Sequence, residues 1–216
     1  MKINNFIIFG DSYSTHRDFI PEEYPHFYCT EGRGDKEPVT KMLPNETWWG
    51  RLIEKTGAKL AYNDSWSGST LGHTGYDGDC SHTSSFIYRY RKLCEERFFE
   101  KIDFDTVFVF GGTNDSWSDA PLGEMQLSDW CENDLFFVLP AICYFMNCLK
   151  SDFPDKQIVF IANYGIKPEI IECMRAAAAK LDVSFVRLSD IDKLSNHPTI
   201  LGMQEIADQI IDQLGC

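Results

Sequence analysis

Four short segments, spread along the chain, carry residue types that together could cleave an acyl bond. Phe9-Gly10-Asp11-Ser12-Tyr13-Ser14 places a serine directly after an apolar run, where a turn can expose its hydroxyl. Asn196-His197-Pro198-Thr199 supplies an imidazole near the other end. Asn63-Asp64-Ser65-Trp66-Ser67-Gly68-Ser69 offers Gly68, whose backbone N–H has no Cβ in the way of a substrate. Gly111-Gly112-Thr113-Asn114-Asp115 offers the side-chain amide of Asn114. A serine nucleophile needs an exposed hydroxyl, a base for its proton and donors for the oxyanion that forms. On this reading Ser12 attacks and His197 takes its proton. The oxyanion hole is then the Ser12 N–H, the Gly68 N–H and the Asn114 amide.

Each residue also has a plain reading. Ser12 could cap a helix, Gly68 could be a turn glycine, and Asn114-Asp115 could be a strand-to-helix turn. His197 could simply start a helix. Asp11 reads as structural, its carboxylate accepting backbone N–H bonds that hold the turn. The chemical reading comes from all four segments in one order, not from any one of them.

In that order the segments resemble the SGNH, or GDSL-type, hydrolase family of lipases and acylhydrolases. Gly10-Asp11-Ser12 looks like the nucleophile block, Gly68 like the glycine block, Gly112-Thr113-Asn114-Asp115 like the GxND block and His197-Pro198 like the last block. The likeness runs from residue 6 to about residue 210. It implies a flavodoxin-like three-layer α/β/α sandwich with a five-stranded parallel sheet, and ester hydrolysis through an acyl-enzyme. It implies Ser12 and His197 as catalytic residues, and no metal or organic cofactor. One position departs from the pattern. The family usually has an acid three residues before the histidine, and here that residue is Leu194. Asp192, Asp190 or a backbone carbonyl could orient the imidazole instead, and the residues leave the three open.

The elements that must position these groups are legible as an alternation. Strands are expected at Ile3 to Phe9, Lys59 to Tyr62, Thr106 to Phe110, Gln157 to Ala162 and Val183 to Val186. Near-continuous apolar runs are what a parallel sheet buried on both faces requires. Helices are expected at Trp48 to Lys55, across Leu135 to Leu149 with a kink at Pro140, at Pro168 to Leu181 and from Ile200 to Leu214. This is an α/β chain, read as one domain over residues 1–216 with a long insertion at about 13–46. The three loops after the first three strands fall at the edge where open α/β sheets bind ligands. The surplus length lies in Tyr13 to Glu46 and Ser65 to Ser85, where substrate choice is expected to reside.

Composition narrows the partners. The 216 residues carry a formal net charge of −13, with 44% apolar and 25% charged residues. That fits a folded globular chain and disfavours nucleic acid and anionic membranes as partners. The longest apolar run, Leu135 to Met146, is too short to span a bilayer. The start of the chain reads as a strand and not as a signal peptide, so a cytoplasmic location and reduced cysteines are expected. The eight cysteines form no CxxC pair. His73, Asp77, Asp79, Cys80 and His82 have no standard metal-ligand spacing and read better as a polar wall of the cleft. Tyr88-Arg89-Tyr90-Arg91-Lys92 reads as a solvated helix face, unless Arg89 or Arg91 reaches a substrate carboxylate. Trp48, Trp49, Trp66 and Trp117 could stack on sugar rings or simply pack.

The residues therefore point to a small-molecule ester, with a short acyl group on a sugar or other alcohol, and set no oligomeric state. With the −13 charge, neutral or cationic esters are expected to be preferred. A thioesterase or lipid acylhydrolase is the nearest alternative. A silent ligand-binding domain on the same fold is a rival from another class, and so is a flavodoxin-like phosphate binder, although the first loop lacks a Gly-rich cradle.

Overall fold

The computed structural model describes residues 2–34 and 37–216. Five strands form one parallel sheet: β1 (Asn5–Gly10), β2 (Lys59–Ser65), β3 (Thr106–Gly111), β4 (Gln157–Ala162) and β5 (Ser184–Arg187). Their spatial order is β2-β1-β3-β4-β5. Phe6 to Gly10 pairs in unbroken register with Thr106 to Phe110. The chain leaves β1 towards β2 and then crosses back to β3, so the order reverses between β1 and β3. Loops at such a switch point diverge and leave a crevice, and Ser12 and Asn114 follow β1 and β3.

Among the described residues six helices longer than one turn accompany the sheet: α1 (Trp48–Thr56), α2 (Phe86–Glu95), α3 (Thr113–Trp117), α4 (Val138–Asp152), α5 (Pro168–Leu181) and α6 (Ile200–Leu214). Side chains alternate along each strand, which divides the core in two. Phe6, Ile8, Phe108, Phe110, Val159 and Ile161 pack under Trp48 and Leu52 of α1 and Met203, Ile206 and Ile210 of α6. Ile7, Phe9, Val107, Val109, Ile158 and Phe160 face Ile87 and Tyr90 of α2, Ile142, Phe145 and Leu149 of α4, and Ile170 and Met174 of α5. Each such large apolar side chain contributes roughly 1.5–3 kcal/mol on burial. The architecture is the expected three-layer α/β/α sandwich. Thr47, Ser85 and Thr199 cap α1, α2 and α6 by accepting N–H bonds from Gly50, Tyr88 and Gly202, each satisfying a donor that helix geometry leaves open.

Two local expectations are corrected. Pro140 does not kink its helix. The helix begins at Val138, so Pro140 stands in the first turn, where its missing N–H has no intrahelical partner to lose. Leu135 belongs instead to a preceding 3-10 turn, Glu132–Phe136. The second strand runs three residues beyond Tyr62, through Asn63, Asp64 and Ser65, all buried although polar. Their partners, described below, come from loops around the site. Among the described residues no helix is long and apolar enough to cross a membrane.

Candidate active site

The loop after β1 is fastened from below. Asp11 accepts the Tyr13 N–H at 3.0 Å, and Ser14 N–H closes a turn on the Asp11 carbonyl. The indoles of Trp48 and Trp49 donate to the Ser14 hydroxyl and carbonyl, both at 3.1 Å. Asn63 of β2 donates to the same carbonyl at 2.9 Å. Trp48 and Trp49 are therefore supports for this loop and not stacking platforms. Gly10 is required here, because a Cβ would meet Ser65 Oγ at 2.4 Å and Ser14 Cβ at 2.6 Å. Burial pushes the Asp11 carboxyl up to about 7.

Ser12 Oγ lies 3.1 Å from His197 Nε2, bringing together residues 185 positions apart. His197 sits on a small hairpin in which Lys193–Leu194 pairs with His197–Pro198. The two residues between, Ser195 and Asn196, have φ of 51° and 65°. Positive φ at both central positions is the pattern of a type I′ turn, whose twist suits a two-residue hairpin. The tight turn sets the Ser195 carbonyl 3.2 Å from His197 Nδ1. A carbonyl oxygen only accepts, so this contact puts the proton on Nδ1 and turns the Nε2 lone pair towards Ser12.

The imidazole is also held by aromatic rings from the long segment after β1. Phe27 stacks on it with centroids 3.6 Å apart and planes 5° apart. The Tyr13 ring stands 5.5 Å away. The Tyr13 hydroxyl donates to the Asn196 carbonyl at 2.5 Å and the Tyr28 hydroxyl to the Pro198 carbonyl at 2.9 Å. Burial pushes both phenols well above their ordinary range, so they stay neutral donors. A lone aromatic in a long irregular segment gives no sign of such a partner, and sequence reasoning missed Phe27 and Tyr28 for that reason.

The other side of the crevice carries Gly68 and Asn114. Gly68 has φ of 87°, with nothing within 4 Å of where a Cβ would stand. Among the described residues, no backbone acceptor takes the N–H of Ser12 or Gly68. Asn114, on α3, donates from Nδ2 to the Ser69 carbonyl at 2.9 Å, which leaves one amide hydrogen. Its Oδ1 accepts from the Tyr76 hydroxyl at 3.1 Å, which fixes the orientation of the amide. Asp115 accepts the Leu71 and Gly72 N–H groups at 3.0 and 3.2 Å, locking the second and third loops together. Its carboxyl is pushed up to about 6 by burial, against the pull of those bonds.

Other sequence readings are redistributed. Tyr88 to Lys92 is not a uniformly solvated face. Arg89 is buried and ion-paired with buried Asp64, and it also reaches the Gly10 carbonyl and Ser69 Oγ at 3.4 and 3.3 Å. A carboxylate at the end of a buried strand needs such a counter-charge. Arg91 is taken up by Glu132 and the Tyr144 hydroxyl, so neither arginine faces a ligand. His73 is buried and bonded to Ser85 Oγ at 3.0 Å, and burial lowers its pKa to about 4. Asp77, Asp79 and Cys80 do line a recess of about 230 Å³ beside Gly68, with Trp66, Tyr76 and Ser84. Among the described residues no group of three His, Cys, Asp or Glu side chains could hold a metal ion. Asp192 accepts the Thr199 hydroxyl, at the start of α6. Asp190 lies close to Tyr164 and Lys193.

Comparison with known proteins identifies the family. The family model for GDSL-like lipases/acylhydrolases matches residues 4–214. A provisionally assigned GDSL-like lipase of Bacteroides ovatus is 33% identical with a TM-score of 0.88, covering 100% of this chain and 99% of its own. A second, of Bacteroides uniformis, is 36% identical with a TM-score of 0.87, covering 98% of this chain and 95% of its own. A family two carbohydrate esterase of Clostridium thermocellum shares the fold at 16% identity, with a TM-score of 0.64, covering 100% of this chain and 65% of its own. No curated protein matches the chain.

Proposed function

The chain belongs to the GDSL-like lipase/acylhydrolase family and is a hydrolase of ester bonds, and on that premise we propose that it is a serine esterase with Ser12 as nucleophile and His197 as its base. The observation that carries this reading is the 3.1 Å contact between Ser12 Oγ and His197 Nε2. Ser12 Oγ attacks the ester carbonyl as His197 takes its proton. The Ser12 N–H, the Gly68 N–H and the free hydrogen of Asn114 Nδ2 receive the oxyanion. The imidazolium then protonates the departing alcohol, and the acyl-enzyme is opened by a water that His197 deprotonates. The Ser195 carbonyl orients the ring throughout.

The acyl group is short. The recess beside Gly68 has room for about 230 Å³ and its wall carries the exposed carboxylates of Asp77 and Asp79, a polar rim that offers a long alkyl chain little apolar surface. The same wall disfavours the lipid acylhydrolase reading.

Hydrolysis of para-nitrophenyl acetate by wild type, Ser12→Ala and His197→Asn tests the assignment. Both variants lose roughly three orders of magnitude or more in kcat if these residues act as a unit. Wild-type rates in Ser12→Ala would refute it. The octanoate is expected to react far more slowly than the acetate.

A further inference from the structure

A second recess lies on the histidine side of the site. It is an open cleft of about 500 Å³, lined by Trp117, Tyr164, Gly165, Lys193 and Asn196. Asn196 adjoins His197 in the chain, and Lys193 stands on the opposite arm of the same hairpin. The Trp117 ring meets the imidazole edge, with centroids 6.5 Å apart. The imidazole that protonates the departing oxygen must stand on the leaving-group side of the scissile bond. This recess is therefore placed for the alcohol part of the ester, as the smaller one beside Gly68 is for the acyl part.

The lining has a definite chemistry. Trp117 is 39% exposed, a large aromatic face left open beside the reacting groups. The Lys193 ammonium lies 3.9 Å from the centre of the Tyr164 ring and 5.4 Å from that of Tyr13. It donates to Asn163 Oδ1 at 3.2 Å. These partners are all neutral, and the one hydrogen bond leaves two ammonium hydrogens. Asp190 on the preceding loop and buried Asp11 act on Lys193 through their fields, but among the described residues no carboxylate stands within ion-pairing distance of it. Burial lowers the ammonium to about 8, so it is charged at neutral pH. Arg89 and Arg91, the cations first considered for a substrate carboxylate, are both consumed elsewhere.

We propose that this recess binds an alcohol bearing a carboxylate on a flat or ring-shaped body, with the carboxylate on Lys193 and the ring against Trp117 and Tyr164. The substrate class is then the short-acyl ester of a hydroxy acid or acidic sugar. The proposal rests on the assignment of Ser12 and His197 as the ester-cleaving pair. It reverses the preference that the −13 charge alone predicts, because a local cation outweighs a distant average.

Binding of the product alcohol tests it without turnover. meta-(Hydroxymethyl)benzoate and the matching benzamide are titrated calorimetrically into wild type, Lys193→Met and Lys193→Arg, each first shown to melt cooperatively. The carboxylate is expected to bind wild type about tenfold tighter than the amide, as one partly buried charge-assisted bond allows. That preference should vanish in Lys193→Met and return in Lys193→Arg. Equal affinity for the two alcohols in wild type, or a preference that survives in Lys193→Met, overturns the proposal. Turnover of the corresponding acetates by Ser12→Ala reads the underlying assignment separately. If Ser12→Ala cleaves them as fast as wild type, the nucleophile is wrong whatever the binding shows.

Discussion

The Phe27 ring lies flat on the His197 imidazole, with centroids 3.6 Å apart and planes within 5° of parallel. The stack leaves the ring no room to turn over on that side and keeps Nε2 pointed at Ser12. Phe27→Ala should therefore lower kcat/KM for para-nitrophenyl acetate about tenfold, in line with roughly 0.5–1.5 kcal/mol for the aromatic pair plus lost orientation. Phe27→Tyr should keep most of the activity. Wild-type kcat/KM in Phe27→Ala would show that the turn alone positions the histidine.

The Tyr76 hydroxyl holds Asn114 Oδ1. Removing it in Tyr76→Phe leaves the amide held through its bond to the Ser69 carbonyl, so the second Nδ2 hydrogen is kept less firmly towards the oxyanion. The expected result is a drop in kcat of roughly threefold to tenfold with little change in KM, the signature of an interaction made in the transition state. A change confined to KM would assign Tyr76 to substrate contact instead.

If the Ser195 carbonyl orients the imidazole through Nδ1, as proposed, neither upstream acid is needed for that role. Asp192→Asn keeps an oxygen for the Thr199 hydroxyl and should retain kcat within about threefold, as should Asp190→Asn. A loss on the order of a thousandfold in one of them would identify that residue as the third triad member in place of the carbonyl.

Asp11 gives a pH-dependent prediction. Its folded carboxyl is raised to about 7 by burial, above its unfolded value near 4. The folded state therefore holds the extra proton between these values, and stability contributed at low pH is lost as pH rises through the window. His73 works in the opposite sense. Its pKa is lowered to about 4, so its contribution is present above pH 6.5 and lost on acidification. The wild-type profile mixes the two, and a variant separates them. Asp11→Asn should gain about 3 kcal/mol relative to wild type on going from pH 5 to pH 8, measured by urea denaturation. Parallel curves for the two proteins would mean that Asp11 does not titrate in this range.

The fold was legible because strands buried on both faces read as apolar runs, as Thr106 to Phe110 and Gln157 to Ala162 do. The end of β2 was not. Asn63, Asp64 and Ser65 look like a loop until Arg89, twenty-five residues from Asp64, is seen to neutralise it. Pro140 misled in the same way, since its effect depends on where the helix starts. At the site, Ser12 and His197 could be proposed from residue types and their order, and the structure brings the two within 3.1 Å. Phe27, Tyr76 and Lys193 could not, because each matters only through a contact that the topology makes. Their chemistry is ordinary wherever the chain does not bring them to the crevice edge.

The bond from the Tyr28 hydroxyl to the Pro198 carbonyl closes a span of 170 residues. A chain growing on the ribosome carries Ser12, Phe27 and Tyr28 from early on, with nothing yet to clasp. At roughly 5–20 residues per second, the histidine hairpin arrives about ten to thirty seconds later. On the proposed assignment, hydrolytic competence is withheld until these two distant parts of the chain have met. If Ser12 and His197 act as proposed, activity is a readout of finished folding, and a chain stalled before residue 197 carries the serine without its partner.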